Sequence, residues 1–143
     1  MKEADILYIE DNVDYIEFVK RAIRKVNASL SFGFIMDGKN AQIMLEGLDH
    51  KTRLPRLILL DINLPDCNGI DLLKRLRANP ATRYIPVIML SSSENQRDVK
   101  EAFDHGANAY LIKPIGLNPL TDTLQSICNF WLNHNQPVDN AAA

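Results

Sequence analysis

Five short apolar runs alternate with stretches of helical periodicity along most of the chain: ADILYI (4–9), LSFGFIM (30–36), RLILLD (56–61), IPVIML (85–90) and ANAYLI (107–112). The first, third and fourth are close to unbroken hydrophobic, as strands are when both faces of a parallel sheet are covered. After the first run, Ile16, Val19, Ile23 and Val26 recur at steps of three and four. After the last, Leu117, Leu120, Leu124, Ile127 and Trp131 do the same, and each set forms one apolar stripe on a helix. Gly47, close to His50, then Asn79-Pro80 and Gly106 stand where the second, third and fourth helices have to stop. The expected fold is therefore α/β, a (βα)5 doubly wound five-stranded parallel sheet. A chain of 143 residues is one such domain, able to bury about 68–70% of its unfolded surface without staples. The domain is expected over residues 1–133; the closing NHNQPVDNAAA carries no periodic pattern, so 134–143 are expected to be a flexible C-terminal tail.

Composition excludes several classes of function. A net charge of -2 offers no electrostatic footprint for nucleic acid, and the cluster Lys20, Arg21, Arg24 and Lys25 reads as a solvated helix face. No apolar run approaches the ~20 residues of a membrane span. Acids at Glu3, Asp5 and Glu10 interrupt the N-terminus where a secretion signal would need an apolar core, so a cytoplasmic location is expected. Cys67 and Cys128 are far apart and form no metal or disulfide pattern, which makes free thiols the expectation.

In open parallel sheets, ligands bind outside the carboxyl ends of the strands. The unusual polar residues gather there: Glu10 and Asp11 after the first strand, Asp61 after the third, Ser91-Ser92-Ser93 after the fourth, Lys113-Pro114 after the fifth. Three carboxylates at one sheet edge repel one another and call for a cation. A hard divalent ion such as Mg²⁺ answers this, with Asp11 and Asp61 as direct ligands, Glu10 acting through water and the backbone carbonyl of Asn63 completing the set. Lys113 could pair Asp61 or meet a phosphoryl oxygen, and Ser91 adds a hydroxyl. A carboxylate nucleophile, a metal, a lysine and a hydroxyl together suit phosphoryl transfer, with Asp61 as acceptor. Taken singly, Asp11 or Asn12 could be a helix N-cap and Lys113 an ordinary exposed lysine; it is the convergence at one edge that outweighs those readings.

The ordered set IEDN, LLDINLPDCNG, VIMLSS and AYLIKP resembles the receiver domain of response regulators, the chemotaxis-regulator type of fold, over residues 3 to about 133. The resemblance implies a flavodoxin-like strand order, 2-1-3-4-5. It also implies that Asp61 takes a phosphoryl group from a phosphohistidine on a sensor histidine kinase, with the receiver supplying the Mg²⁺ site. Ser91 would then turn toward the phosphoryl group and Tyr110 swing inward, remodelling the face made by helix 4, strand 5 and helix 5; the plainer reading of Tyr110 is a half-buried strand aromatic that stays put. Lys113-Pro114 resembles the family's cis peptide. Pro65 and Gly69 lie in the loop that folds back over the site, and Asn63 and Ser93 occupy the positions that tune hydrolysis. On helix 1, Tyr15, Phe18 and Ala22 form a second apolar line; a wider core stripe is one reading, and the kinase docking face of the family, through Tyr15 and Phe18, is the other.

Phe130, Trp131 and Leu132 cannot all point at one core, which suggests a homodimer or partner surface on the helix 4, strand 5, helix 5 face. No sequence for an output domain follows Trp131, so signalling is expected to pass by protein contact. The wording of the motifs is similar to that of small regulators paired with phytochrome-type kinases. Rival classes fit less well. A dehalogenase-type Mg²⁺ phosphohydrolase wants a second acid where Asn63 stands, and a Ca²⁺ loop fails at Pro65 and Asp66. A serine hydrolase lacks the G-x-S-x-G elbow and a histidine placed by sequence among His50, His105 and His134. A pseudo-receiver, a docking module without phosphorylation, is the remaining alternative.

Overall fold

A computed structural model describes residues 4–49 and 53–139, so the expected stop beside His50 is seen only up to Gly47. The described residues form β1 (Ile6–Ile9), α1 (Val13–Val26), β2 (Phe32–Ile35), α2 (Gly38–Glu46), β3 (Leu57–Leu60), α3 (Gly69–Ala78), β4 (Val87–Ser91), α4 (Gln96–Asp104), β5 (Ala109–Ile112) and α5 (Leu117–Cys128), followed by a π-helical turn, Asn129–His134. The five strands are all parallel and lie in the order β2-β1-β3-β4-β5, as the resemblance implies. β1, β3 and β4 are buried along their whole length, which is what their unbroken apolar composition requires. The edge strands β2 and β5 are more exposed, and their runs are correspondingly less uniform.

Side chains alternate across the sheet. Leu7, Ile9, Ile58, Leu60, Val87 and Met89 pack on one face with Ala41 and Leu45 of α2, Ile70, Leu73 and Leu76 of α3, and Ala102 of α4. Ile6, Tyr8, Leu57, Leu59, Ile88 and Leu90 pack on the other with Ile16, Val19, Ala22 and Ile23 of α1 and Leu120, Leu124 and Ile127 of α5. Each fully buried Leu or Ile contributes roughly 1.5–3 kcal/mol, so these two layers supply the driving force for folding. Ala22 belongs to this core and is fully buried, whereas Val26 is only partly buried; the α1 stripe therefore lies slightly off the expected line.

The first four helices begin on short polar side chains that accept an amide of the first turn: Asn12 from Tyr15, Asp37 from Asn40, Asn68 from Ile70 and Asn95 from Arg97. Since Asn12 caps α1, Asp11 is left for other work. After α4 the chain turns through Gly106 at φ 101°, a left-handed conformation open to glycine. No cis peptide bond occurs among the described residues, so Lys113-Pro114 is trans, unlike the family's cis peptide that it resembles in sequence. Trans is the preferred state of an X-Pro bond by about 0.5–1 kcal/mol, and with it the Pro114 carbonyl still accepts the Tyr15 hydroxyl at 3.1 Å.

The π-helical turn widens the end of the last helix. It leaves Phe130 about half exposed, while Trp131 and Leu132 pack partly against the α1–α5 core. Arg56 donates to the Leu132 carbonyl at 3.0 Å, and Asn135, Pro137 and Val138 line a pocket together with Leu54, Tyr84 and Pro86. Among the described residues no helix is long and apolar enough to cross a membrane.

Candidate functional site

Backbone pairing continues one residue past the strands and brings the acids together. The Glu10 amide bonds Ile35 O at 3.0 Å, and the Asp61 amide bonds Ile9 O at 3.1 Å, so Glu10 and Asp61 stand side by side at the carboxyl edge of the sheet. Glu10 is 0% and Asp61 5% exposed, while Asp11 faces solvent. One carboxylate oxygen from each of the three lies within 4.8 Å of the others. Lys113 is anchored by its amide to Ser91 O at 2.9 Å, and its ammonium reaches into this group. There it pairs with Glu10 Oε1 and sits 3.4 Å from Asp61 Oδ2. The closer partner of Lys113 is thus Glu10, not Asp61, because Glu10 lies deeper and has no other donor.

Burial pushes the Glu10 carboxyl up to about 8, reinforced by the neighbouring Asp61 carboxylate, which favours the protonated form, and opposed by Lys113. Its second oxygen, Oε2, is buried without a partner. Three carboxylates against one lysine, with a free buried oxygen among them, make a donor set that suits a hard divalent cation. Asn63 lies just beyond Asp61 in an antiparallel bridge with Asn68. Asp61 Oδ1 accepts the amide of Ile62 at 2.9 Å, which fixes the rotation of the carboxylate.

The loop after Asp61 is held by close approach. Gly69 opens α3 with its amide 2.6 Å from Ile62 O, and a Cβ on Gly69 would lie 2.0 Å from the Asp61 carbonyl oxygen. Asp66, to which the sequence pointed only as a misfit in a Ca²⁺ loop, accepts the amides of Gly38 at 2.7 Å and Lys39 at 2.8 Å. These two amides hold its carboxyl below the usual range. The loop is thereby clamped to the start of α2, through partners too distant in the chain for any local pattern to show.

Ser91 is fully buried, and its Oγ accepts the Ser93 amide at 3.2 Å. Ser93 in turn donates from its hydroxyl to Asp98 at 2.5 Å, and its carbonyl accepts the Tyr110 hydroxyl at 2.8 Å. Tyr110 packs against the α2–α3–α4 core, whereas Tyr8, Leu59 and Leu111, which precede Glu10, Asp61 and Lys113 by two residues, lie on the α1–α5 face. Tyr15 and Phe18 are less alike than their spacing suggests. Tyr15 is half-buried, donates to Pro114 O and has the Lys113 ammonium 4.9 Å from its ring centre, so it walls the site; Phe18, 41% exposed, stands outside it with its ring 6.3 Å from that of Tyr15. His105 closes α4 and His134 ends the π-helical turn, so neither approaches Ser91.

A sheet of order 2-1-3-4-5 carries an acidic trio, a lysine and a buried serine at its carboxyl edge, and residues 6–125 match the response regulator receiver domain. The chain belongs to that family. It is 33% identical over 129 residues to the response regulator Rcp1 of Synechocystis sp., covering 89% of this chain and 88% of that protein. Among solved structures it is similar to the phosphorylated cyanobacterial phytochrome response regulator RcpA, with a TM-score of 0.85, 29% identity and coverage of 95% and 99% of the two chains. The Mn²⁺-bound form of Rcp1 is similar at a TM-score of 0.79 and 30% identity, again over 95% and 99%.

Proposed function

We propose that this protein is a response regulator whose receiver domain accepts a phosphoryl group on Asp61 from the phosphohistidine of a sensor histidine kinase of the phytochrome type. The observation that carries the reading is the convergence of Glu10, Asp11, Asp61 and Lys113 at one sheet edge. An Asp61 carboxylate oxygen attacks phosphorus, the P–N bond to the imidazole breaks, and the imidazole leaves with that electron pair, taking a proton from solvent. The product is an acyl phosphate. Asp11 and Asp61, with the Asn63 carbonyl and Glu10 through water, would hold Mg²⁺, which when bound offsets negative charge on the phosphoryl oxygens. Lys113 meets the charge that arrives, and Ser91 offers its hydroxyl from β4. Movement of Ser91 would release the Ser93 amide and, through Ser93, loosen the Tyr110 contact, which is how the event reaches α4, β5 and α5.

The chain acts on this reading as a phosphoacceptor that assists its own phosphorylation and dephosphorylation, in the cytoplasm, with Phe18 beside Tyr15 as the kinase contact. The kinship with RcpA and Rcp1 supports the phytochrome pairing. Intact mass after incubation with acetyl phosphate tests the central claim. The wild type should gain one phosphoryl mass only with Mg²⁺, and Asp61→Asn should gain none. An unchanged wild-type mass, with a partner bound constitutively, would make the chain a pseudo-receiver.

A further inference from the structure

The mechanism above leaves one buried group unused. Tyr8, in the middle of β1, is 0% exposed, and its hydroxyl has no hydrogen-bond partner. Every neighbouring position of that strand is aliphatic and equally buried, so a hydroxyl here costs stability that a phenylalanine would not. Tyr8 and Glu10 are two residues apart on β1, and same-face residues of a strand stand about 6.6 Å apart, comparable to the reach of a phenol along the strand. Glu10 carries the other orphan among the described residues, Oε2, also in a fully buried side chain. One is a donor and the other an acceptor. A phenol ordinarily ionises only at about pH 10, so at neutral pH the hydroxyl is protonated and able to donate.

Lys113 has two demands on its single ammonium. In this structure it serves Glu10. When a phosphoryl group arrives on Asp61, the same ammonium is needed at its oxygens, and the buried Glu10 side chain would then lose its one direct hydrogen-bond donor. Building on the phosphoacceptor reading, we infer that Tyr8 is a positioning residue whose buried hydroxyl takes over the Glu10 carboxylate as Lys113 turns to the phosphoryl group. It donates to Glu10 Oε2 from beneath and so holds the metal-side carboxylate in place through the reaction. The unpartnered hydroxyl is thus a cost carried in the resting state and recovered in the phosphorylated one.

Tyr8→Phe removes the hydroxyl and keeps the ring, so the variant should fold. Thermal unfolding of wild type, Tyr8→Phe and Asp61→Asn is measured alone and with Mg²⁺ plus beryllofluoride, a mimic of the acyl phosphate. The expected result is that Tyr8→Phe alone melts at or above the wild-type temperature, yet gains at most half of the wild-type increase with Mg²⁺ and beryllofluoride. Acetyl phosphate should also label it several-fold more slowly. A lower melting temperature of the free variant would overturn the inference, since the hydroxyl would then already be partnered. An increase equal to that of the wild type would overturn it too, leaving Asp61 as acceptor untouched. If the wild type itself behaves like Asp61→Asn, both the inference and the phosphoacceptor reading fall.

Discussion

At Gly69 the start of α3 lies against the backbone of Asp61, with no room for even one carbon. Gly69→Ala must push Asp61 or the helix aside; overpacking of this kind costs about 1–3 kcal/mol, to be read from urea denaturation, and labelling by acetyl phosphate should slow with it. Single residues were unequally legible. Asp61 announces itself because an acid directly after Leu57-Ile58-Leu59-Leu60 is a charge at the end of a buried strand. Asp11 became readable once Asn12 could serve as the cap, which the structure shows it does. The pairing of Lys113 with Glu10 was not legible, since two carboxylates compete for it and depth decides between them. Tyr8 carried a signal that went unread: one phenol inside an aliphatic, doubly covered strand.

Among elements, the clamp between the β3–α3 loop and α2 is the clearest addition to what the periodicity shows. Asp66 is exposed, yet its carboxylate takes both leading amides of α2, whose own N-cap, Asp37, serves Asn40. Because the folded value is depressed, the clamp contributes fully above the ordinary aspartate value of about 3.8 and is lost as pH falls through the lower folded one. The protection of the Gly38 and Lys39 amides against exchange, taken relative to the intrinsic rate at each pH, should therefore be present near neutrality and fall toward acid; Asp66→Ala should lower it near neutrality as well. Strand and helix order were legible from apolar runs and stripes because parallel strands buried on two faces leave so plain a trace. The π-helical turn was not, since Trp131 continues the apolar stripe of α5 in sequence and no residue there marks where the backbone widens.

At the scale of the molecule, the face made by α4, β5 and α5 exposes Phe103 and Ile112, at 48% and 40%. We expect association through this face to strengthen on phosphorylation, so sedimentation equilibrium should show a larger dimer fraction with beryllofluoride than without, and Ile112→Asp should abolish the difference. A monomer in both states would exclude self-association through this face. The sheet itself adds a constraint. Tyr110 packs in the α2–α3–α4 layer, whereas Leu59, two residues before Asp61, packs in the other. One route from the carboxyl edge to Tyr110 runs around the rim, from Ser91 to Ser93, a path two hydrogen bonds long. So narrow a passage lets chemistry and output be tuned apart: a change within the β4–α4 loop can alter how loudly the domain speaks without altering how readily it is labelled.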